Sequence, residues 1–444
     1  MTDTSKVSFS AAIPRLINLI NENAQSRSVD VALIRDLAGR ITIAVNTENA
    51  GCYAELSETA TRLLGRYLSP SPLKSLADLI DADSIFNSKE SIILQETPVR
   101  VKLVDRLIIG QDWLRDPIVI NPSPPRATLY SVKGGVGRST ALAVWARYLS
   151  SKGHRVFISD LDLEAPGVGS MLLPKEMTPR FGIIDWLVES GLGTASESII
   201  EEMYARSPLS EDSEIFVLPA GGRDIEDYMP KLSRAYLEIL DPKGELLGFA
   251  DRLNEILNAI SDIVRPDIIL IDSRAGLHDI GASAVSRLGA SVFCFALNTP
   301  QNWSGYEILF DYIRNNRAVE FGKFDGLRSN IKMVSAQTLP TERDFQSFLQ
   351  FSYELWTKTL YDDESSVYQD DFPGEVFNFS RNATDAPHFP LRTYWDENLQ
   401  RYNPVGTEDK VLWDRIYSSF KDFCEGATDI CLNTHDNDEA ADET

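Results

Sequence analysis

The stretch 127–140 constrains this chain more than any other. A β-prone run, Ala127–Val132, passes into Lys133-Gly-Gly-Val-Gly-Arg-Ser-Thr140, and a helical pattern over Ser139–Ser151 follows at once. Gly134, Gly135 and Gly137, set between a strand and a helix, let backbone N–H groups face an anion with no Cβ in the way. The helix start adds partial positive charge at the same place.

Around this segment strands and helices alternate. Arg155–Ser159, Ile215–Leu218, Asp267–Ile271, Ser291–Leu297 and Ile331–Ser335 are apolar runs of strand length, with helical patterns such as Leu246–Ile263 between them. That pattern predicts an α/β fold, a mostly parallel sheet flanked by helices on both faces. Leu412, Ile416, Phe420 and Phe423 mark an amphipathic closing helix over Glu408–Cys424. Residues 119–125, with Asn121-Pro-Ser-Pro-Pro125, read as an extended linker, because proline fixes its own dihedral and restricts its predecessor. The domains expected are therefore 1–118, 126–425 and an acidic, solvated tail over 426–444. The first is expected to be a mostly helical accessory or docking domain. Ile13, Leu16, Ile17 and Ile20 share one helical face there, and Ala54, Leu56, Ala60, Leu63 and Leu64 another. Ser91–Leu94 and Val99–Ile109 are β-prone, and no chemical motif stands out.

Charge narrows the partners. The 444 residues hold 43 basic and 66 acidic side chains, a net charge of -23. Lys and Arg drive non-specific nucleic-acid binding, and the same holds for anionic membrane surfaces. The expectation is a protein effector, with neither nucleic acid nor membrane. No run approaches 18 consecutive apolar residues, and the first twenty residues lack the pattern of a secretory signal. Cys52, Cys294, Cys424 and Cys431 form no C-x-x-C pair, which fits a reduced cytoplasmic protein without a zinc site.

Against the pattern G-x-x-x-x-G-K-[ST], the loop departs twice: Val132 stands at the first Gly and Arg138 at the Lys. In this form Lys133-Gly-Gly-Val-Gly-Arg-Ser-Thr resembles the deviant Walker A motif of the ParA/MinD group of P-loop ATPases. That family relaxes the position of Val132 and places a signature lysine where Lys133 stands. Phe157-Ile-Ser-Asp-Leu-Asp-Leu-Glu-Ala-Pro-Gly167 is similar to the family's second motif, a strand ending in Asp-x-Asp. Asp267-Ile-Ile-Leu-Ile-Asp-Ser-Arg-Ala-Gly276 resembles its Walker B strand and switch, and Phe216-Val-Leu-Pro-Ala-Gly221 a further strand-loop. The resemblance covers about 126–425.

It implies ATP and Mg²⁺ as ligands. Lys133, Gly134, Gly135, Val136, Gly137, Arg138, Ser139 and Thr140 would hold the phosphates. Ser139 and Asp272 would serve Mg²⁺, with Asp160 supporting the metal shell or Lys133. Asp162 would place the attacking water. Lys133 would reach the nucleotide of an opposing subunit in an ATP-dependent homodimer, or else neutralise its own nucleotide. Asn298 would contact adenine, a plain turn residue being the other reading. Arg274, where the family has proline, could pair with a switch carboxylate, meet the γ-phosphate, face a partner or lie as an exposed loop arginine. His278 reads as a structural hydrogen-bonder. Arg138 keeps the charge of the usual lysine but presents a planar fork. An ATPase switch, a non-hydrolysing nucleotide-binding scaffold and a DNA-partitioning ATPase are thus the readings that the sequence carries.

Overall fold

The computed structural model describes residues 7–23, 29–87, 91–107, 111–115, 117–118, 122–240, 246–317, 325–362, 376–397, 399, 402–406 and 410–433. The chain divides into two compact units, with the boundary at Asp116 and Pro117.

The first unit is not the mostly helical body expected of residues 1–118. It holds a five-stranded sheet of β1 (Val31–Arg35), β2 (Ile41–Val45), β3 (Leu68–Lys74), β4 (Ile92–Gln95) and β5 (Val101–Asp105), in the order β3-β2-β1-β5-β4. β1 pairs antiparallel with β2 and parallel with β5. Helices Phe9–Glu22 and Ala54–Leu64 lay Leu16, Ile20, Leu56 and Ala60 against Val31, Leu33 and Ile43. The first expected helical face is buried at Leu16 and Ile20, and the second at Leu56, Ala60 and Leu64, whereas Ala54 and Leu63 of that expected face are exposed. Five-residue strands such as Val31-Ala-Leu-Ile-Arg35 are too short for periodicity to separate from helix, and pairing decides them.

In the second unit eight strands form one sheet: β6 (Arg126–Tyr130), β7 (Val156–Asp160), β8 (Ala205–Arg206), β9 (Ile215–Leu218), β12 (Ile268–Asp272), β13 (Ser291–Ala296), β14 (Ile331–Thr338) and β15 (Leu391–Tyr394). β10 (Ile239–Leu240) and β11 (Leu246–Leu247) make a separate two-stranded ribbon. The large sheet runs β15-β14-β13-β6-β12-β7-β9-β8, parallel throughout except at the edge strand β8. Both faces are covered, as the continuous apolar strands require. On one face, helices Arg138–Ser151 and Lys410–Thr428 pack Trp145 and Phe423 onto Phe293 and Phe295. On the other, helices Ile183–Leu192 and Phe249–Val264 pack Leu187, Leu253 and Ile256 onto Phe157, Ile269 and Ile271.

Two helix boundaries differ from the sequence reading by more than two residues. The helix expected from Leu246 begins at Phe249, because Leu246 and Leu247 are taken into the ribbon and the Gly248 N–H is capped by Asp251 Oδ2 at 2.8 Å. Glu408 and residues 119–121 of the linker lie outside the described residues. The closing helix runs on to Thr428 and a π turn follows over Asp429–Asn433, so the first part of the expected acidic tail is helical. Ala427 and Cys431 are buried and extend the apolar stripe of Phe423 and Cys424, which explains the extension; residues 434–444 lie outside the described residues. Among the described residues no helix is long and apolar enough to cross a membrane.

Trp145 sits edge-on to both Phe293 and Phe423, at centroid distances of 5.6 and 5.5 Å, and its Nε1–H donates to Thr428 Oγ1 at 2.9 Å. Phe423→Ala should lower stability by about 3–5 kcal/mol through the cavity it leaves. Guanidinium denaturation reads this as a lower midpoint at unchanged slope; an unshifted midpoint would show that the closing helix does not hold the sheet.

Candidate functional site

Sheet order assembles the site before any side chain does. β12 lies between β6 and β7, and its last residue, Asp272, is in register with Leu129 of β6 and Asp160 of β7. The loop after β6 and the acids ending β7 and β12 therefore meet at the carboxyl ends of adjacent parallel strands, where open α/β sheets bind ligands.

The loop from Ser131 to Gly137 joins β6 to helix Arg138–Ser151. Gly135 and Gly137 have φ of +77° and +88°, a region that glycine enters without strain. Lys133, Gly134 and Gly135 are exposed, and Ser131 Oγ–H donates to the Lys133 carbonyl at 2.7 Å. Val132 is buried against Gly305, where an added Cβ would come within 2.8 Å of Val132 Cγ2. A bulky residue fits at this point of the loop because the facing helix offers no side chain. Arg138 is only 8% exposed, and its Nη1 has no hydrogen-bond partner among the described residues.

The acids differ in environment. Asp272 is 2% exposed; its Oδ2 accepts from Ser139 Oγ–H at 2.7 Å, and its Oδ1 is without a hydrogen-bond partner among the described residues. Asp160 is fully buried and accepts from the N–H groups of Asp162, Gly167 and Gly169 at 3.1–3.3 Å. Burial, reinforced by the Asp272 charge, pushes the Asp160 carboxyl up to about 7. Burial also pushes Asp272 up to about 6, with Arg138 and the Ser139 hydrogen bond pulling the other way. Asp162 is half-buried and is raised by desolvation against the pull of Arg138 and Arg274. Its Oδ1 accepts from Ala165 N–H at 3.2 Å. Arg274 forms an ion pair with Glu164. A hydroxyl, a carboxylate oxygen left open and a second buried acid make a set of hard oxygen donors that fits Mg²⁺. Asp160, whose oxygens are engaged by the N–H groups of its own loop, stands behind Ser139 and Asp272 in that set.

A cavity of about 390 Å³ opens beside the loop, lined among others by Gly137, Thr140, Gln337, Thr393, Trp395 and Phe420. Its size and its mix of aromatic and polar walls suit a small organic ligand. Gln337 has φ of +51° and donates from Nε2 to the Gly135 carbonyl at 2.9 Å. Asn298 does not line this cavity. Its Nδ2 donates to Ser347 Oγ at 3.0 Å and its Oδ1 accepts from Trp303 Nε1–H at 2.9 Å. Gln337, Thr393 and Trp395 carry no motif. The available signal for Gln337 was its place just past the apolar run Ile331–Ser335. His278 is exposed ahead of the short helix Asp279–Ala282.

No family model matches the chain, and no curated protein does. Among solved structures it is similar to a plasmid partition protein from Borrelia burgdorferi bound to AMPPNP, at 14% identity and a TM-score of 0.41, over 68% of this chain and 99% of that one. It is also similar to pNOB8 ParA bound to non-specific DNA, at 15% identity and a TM-score of 0.41, over 71% and 99%. A third is MinD from Pyrococcus horikoshii complexed with Mg-ADP, at 15% identity and a TM-score of 0.40, over 69% and 96%. These neighbours are ParA- and MinD-type proteins. Likeness at this level of identity and superposition decides no chemistry, which rests on the residues above.

A cation held between Ser139 and Asp272 would compete with protons on Asp272 and Asp160. Both carboxyls are raised in the folded protein, so apparent Mg²⁺ affinity in the presence of nucleotide should fall as pH drops from about 8 through 7 to 6, with proton release on binding. Calorimetry in buffers of different ionisation enthalpy measures that release. An affinity flat across this range would exclude both acids from the metal's surroundings.

Proposed function

We propose that the protein is a ParA/MinD-like P-loop ATPase that binds ATP with Mg²⁺ and works as a slow switch, engaging a second copy of itself or a protein partner in the ATP state. The observation that carries this reading is the Ser139–Asp272 hydrogen bond at the head of a glycine loop, with Asp272 Oδ1 left open. Backbone N–H groups from Gly134 to Thr140, including Val136, cradle the phosphates. The buried Arg138 adds a forked cation for phosphate oxygens. Ser139 and Asp272 hold Mg²⁺, which supplies charge neutralisation at the phosphates, and Asp160 supports them. The cavity bounded by Gln337, Trp395 and Phe420 takes the base, a role earlier assigned to Asn298.

Asp162 orients the attacking water from near the start of the loop that leaves buried Asp160. Turnover is slow because Arg138 is a planar ligand where a compact ammonium is usual, and because a switch must keep its ATP state. Lys133 is exposed and free to reach the nucleotide of an opposing subunit. A non-hydrolysing scaffold is the second reading, and Arg138 is the residue that favours it. Residues 1–118 serve as the docking part, and the protein works in the cytoplasm. Acidity does not by itself settle the partner, since one of the solved neighbours is bound to non-specific DNA; duplex DNA therefore belongs in the binding test beside protein.

Phosphate release by the purified full chain separates switch from scaffold. Ser139→Ala and Asp272→Ala should weaken Mg-dependent ATP binding, and undiminished affinity in both would sink the metal assignment. Asp162→Ala should abolish turnover while leaving affinity within a few-fold, as for a group that acts on the water rather than on the ground state.

Lys133→Ala should keep affinity within a few-fold but lose both ATP-induced dimers and turnover, since a cation reaching across in trans can be worth about 10³–10⁵ in rate. Light scattering on Asp162→Ala at saturating ATP tests the dimer. A monomer mass there would leave Lys133 acting on its own nucleotide only.

A further inference from the structure

Two loops flank the phosphate loop on the side of the acids. Residues 161–167 leave β7 and carry Asp162; residues 273–278 leave β12 just past Asp272. At their base the loops are fixed. Leu161 N–H donates to the Asp272 carbonyl at 2.9 Å, Gly276 N–H to the Ser131 carbonyl at 2.9 Å, and Tyr130 Oη–H to the Gly276 carbonyl at 3.0 Å. Farther out, the ion pair between Arg274 and Glu164 joins the two loops. Glu164 is two residues beyond Asp162, and its side chain is 41% exposed. Arg274 stands where proline was the expectation, and the proposed function gives it no part.

With Glu164 41% and Arg274 23% exposed, the pair contributes modestly to stability, and its effect is on where the loops sit. Apart from this pair, the Asp162 loop is held by backbone N–H groups bonded to Asp160, by its own Ala165 turn, by the Tyr228 hydroxyl donating to the Leu163 carbonyl at 2.7 Å and by the buried side chains of Leu161 and Leu163, which leaves residues 164–166 as its exposed part. The guanidinium has two faces to offer, and the Arg274 charge already reaches the Asp162 carboxylate as well as Glu164.

We propose that Arg274 is a positioning residue: paired with Glu164, it clasps the Asp162 loop to the loop leaving Asp272, so that the metal end of the site and the water-placing carboxylate move together. This rests on the reading of Asp162 as the group that orients water. It differs from a direct role of Arg274 on the transferred phosphate, which would need no Glu164.

The test uses the full chain carrying Glu164→Gln, Arg274→Gln, and the exchanged pair Glu164→Arg with Arg274→Glu. Hydrogen exchange over 161–167, in the nucleotide-free protein and with Mg-AMPPNP, reads the clasp without turnover. Steady-state phosphate release reads kcat and KM. Each single variant should raise exchange over 161–167 and lower kcat about tenfold with KM within about twofold, as for a displaced rather than a removed group. The exchanged pair should restore both. Exchange in Glu164→Gln equal to the wild type overturns the clasp. So does an exchanged pair that restores exchange but keeps the kcat of Arg274→Gln, since Arg274 would then act on phosphate itself. A wild-type chain that binds nucleotide without releasing phosphate refutes the hydrolysis reading separately, and exchange alone then decides the clasp.

Discussion

Everything at the site depends on β12 lying between β6 and β7 with Asp272 level with Asp160. That register brings two carboxyls to the bottom of one crevice, shielded from water. Left alone, such a pair repels and stays protonated toward neutral pH, the direction in which both are shifted. The compensation is local: three backbone N–H groups turn toward Asp160, and Ser139 and the buried Arg138 face Asp272. A fold optimised only for stability has no reason to bury this charge. Its presence at the mouth of the glycine loop marks a place where the chain departs from good packing, as functional sites do.

The departures from the common loop pattern become coherent in three dimensions. Val132 needs a neighbour without a Cβ, and Gly305 supplies it from 173 positions later in the chain, an interval read from the sequence. Arg138 needs burial with an open donor, and it has both. Arg274 needs an anion, and Glu164 of the neighbouring loop meets it. Val132 and Arg274 each have a partner distant in sequence, and the burial of Arg138 is set by the fold, so none could be judged from the motif by itself.

This also separates what was legible in the sequence from what was not. Strand ends, glycine loop and acids were legible because they are local: a run of β-prone residues, then a turn residue or a carboxylate in fixed order. The parallel sheet followed from apolar strands divided by helical patterns. Gln337 and Trp395 were not legible, because they line the cavity only through the placement of β14 beside β13 and of β15 beside β14, which no local pattern encodes. Asn298 looked eligible at a strand end, but Trp303, five residues on, and Ser347, from another helix, bind its amide. Of the N-terminal sheet, β4 and β5 were legible as the β-prone runs Ser91–Leu94 and Val99–Ile109, while β1, β2 and β3 escaped for a different reason. The strands of this sheet are mostly four or five residues long and pair across long gaps, β1 with β5 for example, while the two helices that cover it advertise themselves clearly.

The closing helix connects these levels. Phe420 forms part of the cavity wall, while one turn later Phe423 lies in the aromatic cluster around Trp145. Trp145 belongs to the helix that begins at Arg138, and its indole N–H holds Thr428 near the far end of the closing helix. The cavity wall and the helix behind the glycine loop are therefore two faces of one packed layer. Close packing transmits displacement, because a core has no slack to absorb it. A ligand that bridges the loop and the cavity wall is held by elements already fixed to each other, so little ordering remains for binding to supply. The two short loops after β7 and β12 are rooted in the same core by Leu161, Leu163 and Ser273, and only their outer residues, 164–166 and 277–278, stand exposed, with the Arg274–Glu164 ion pair between the loops.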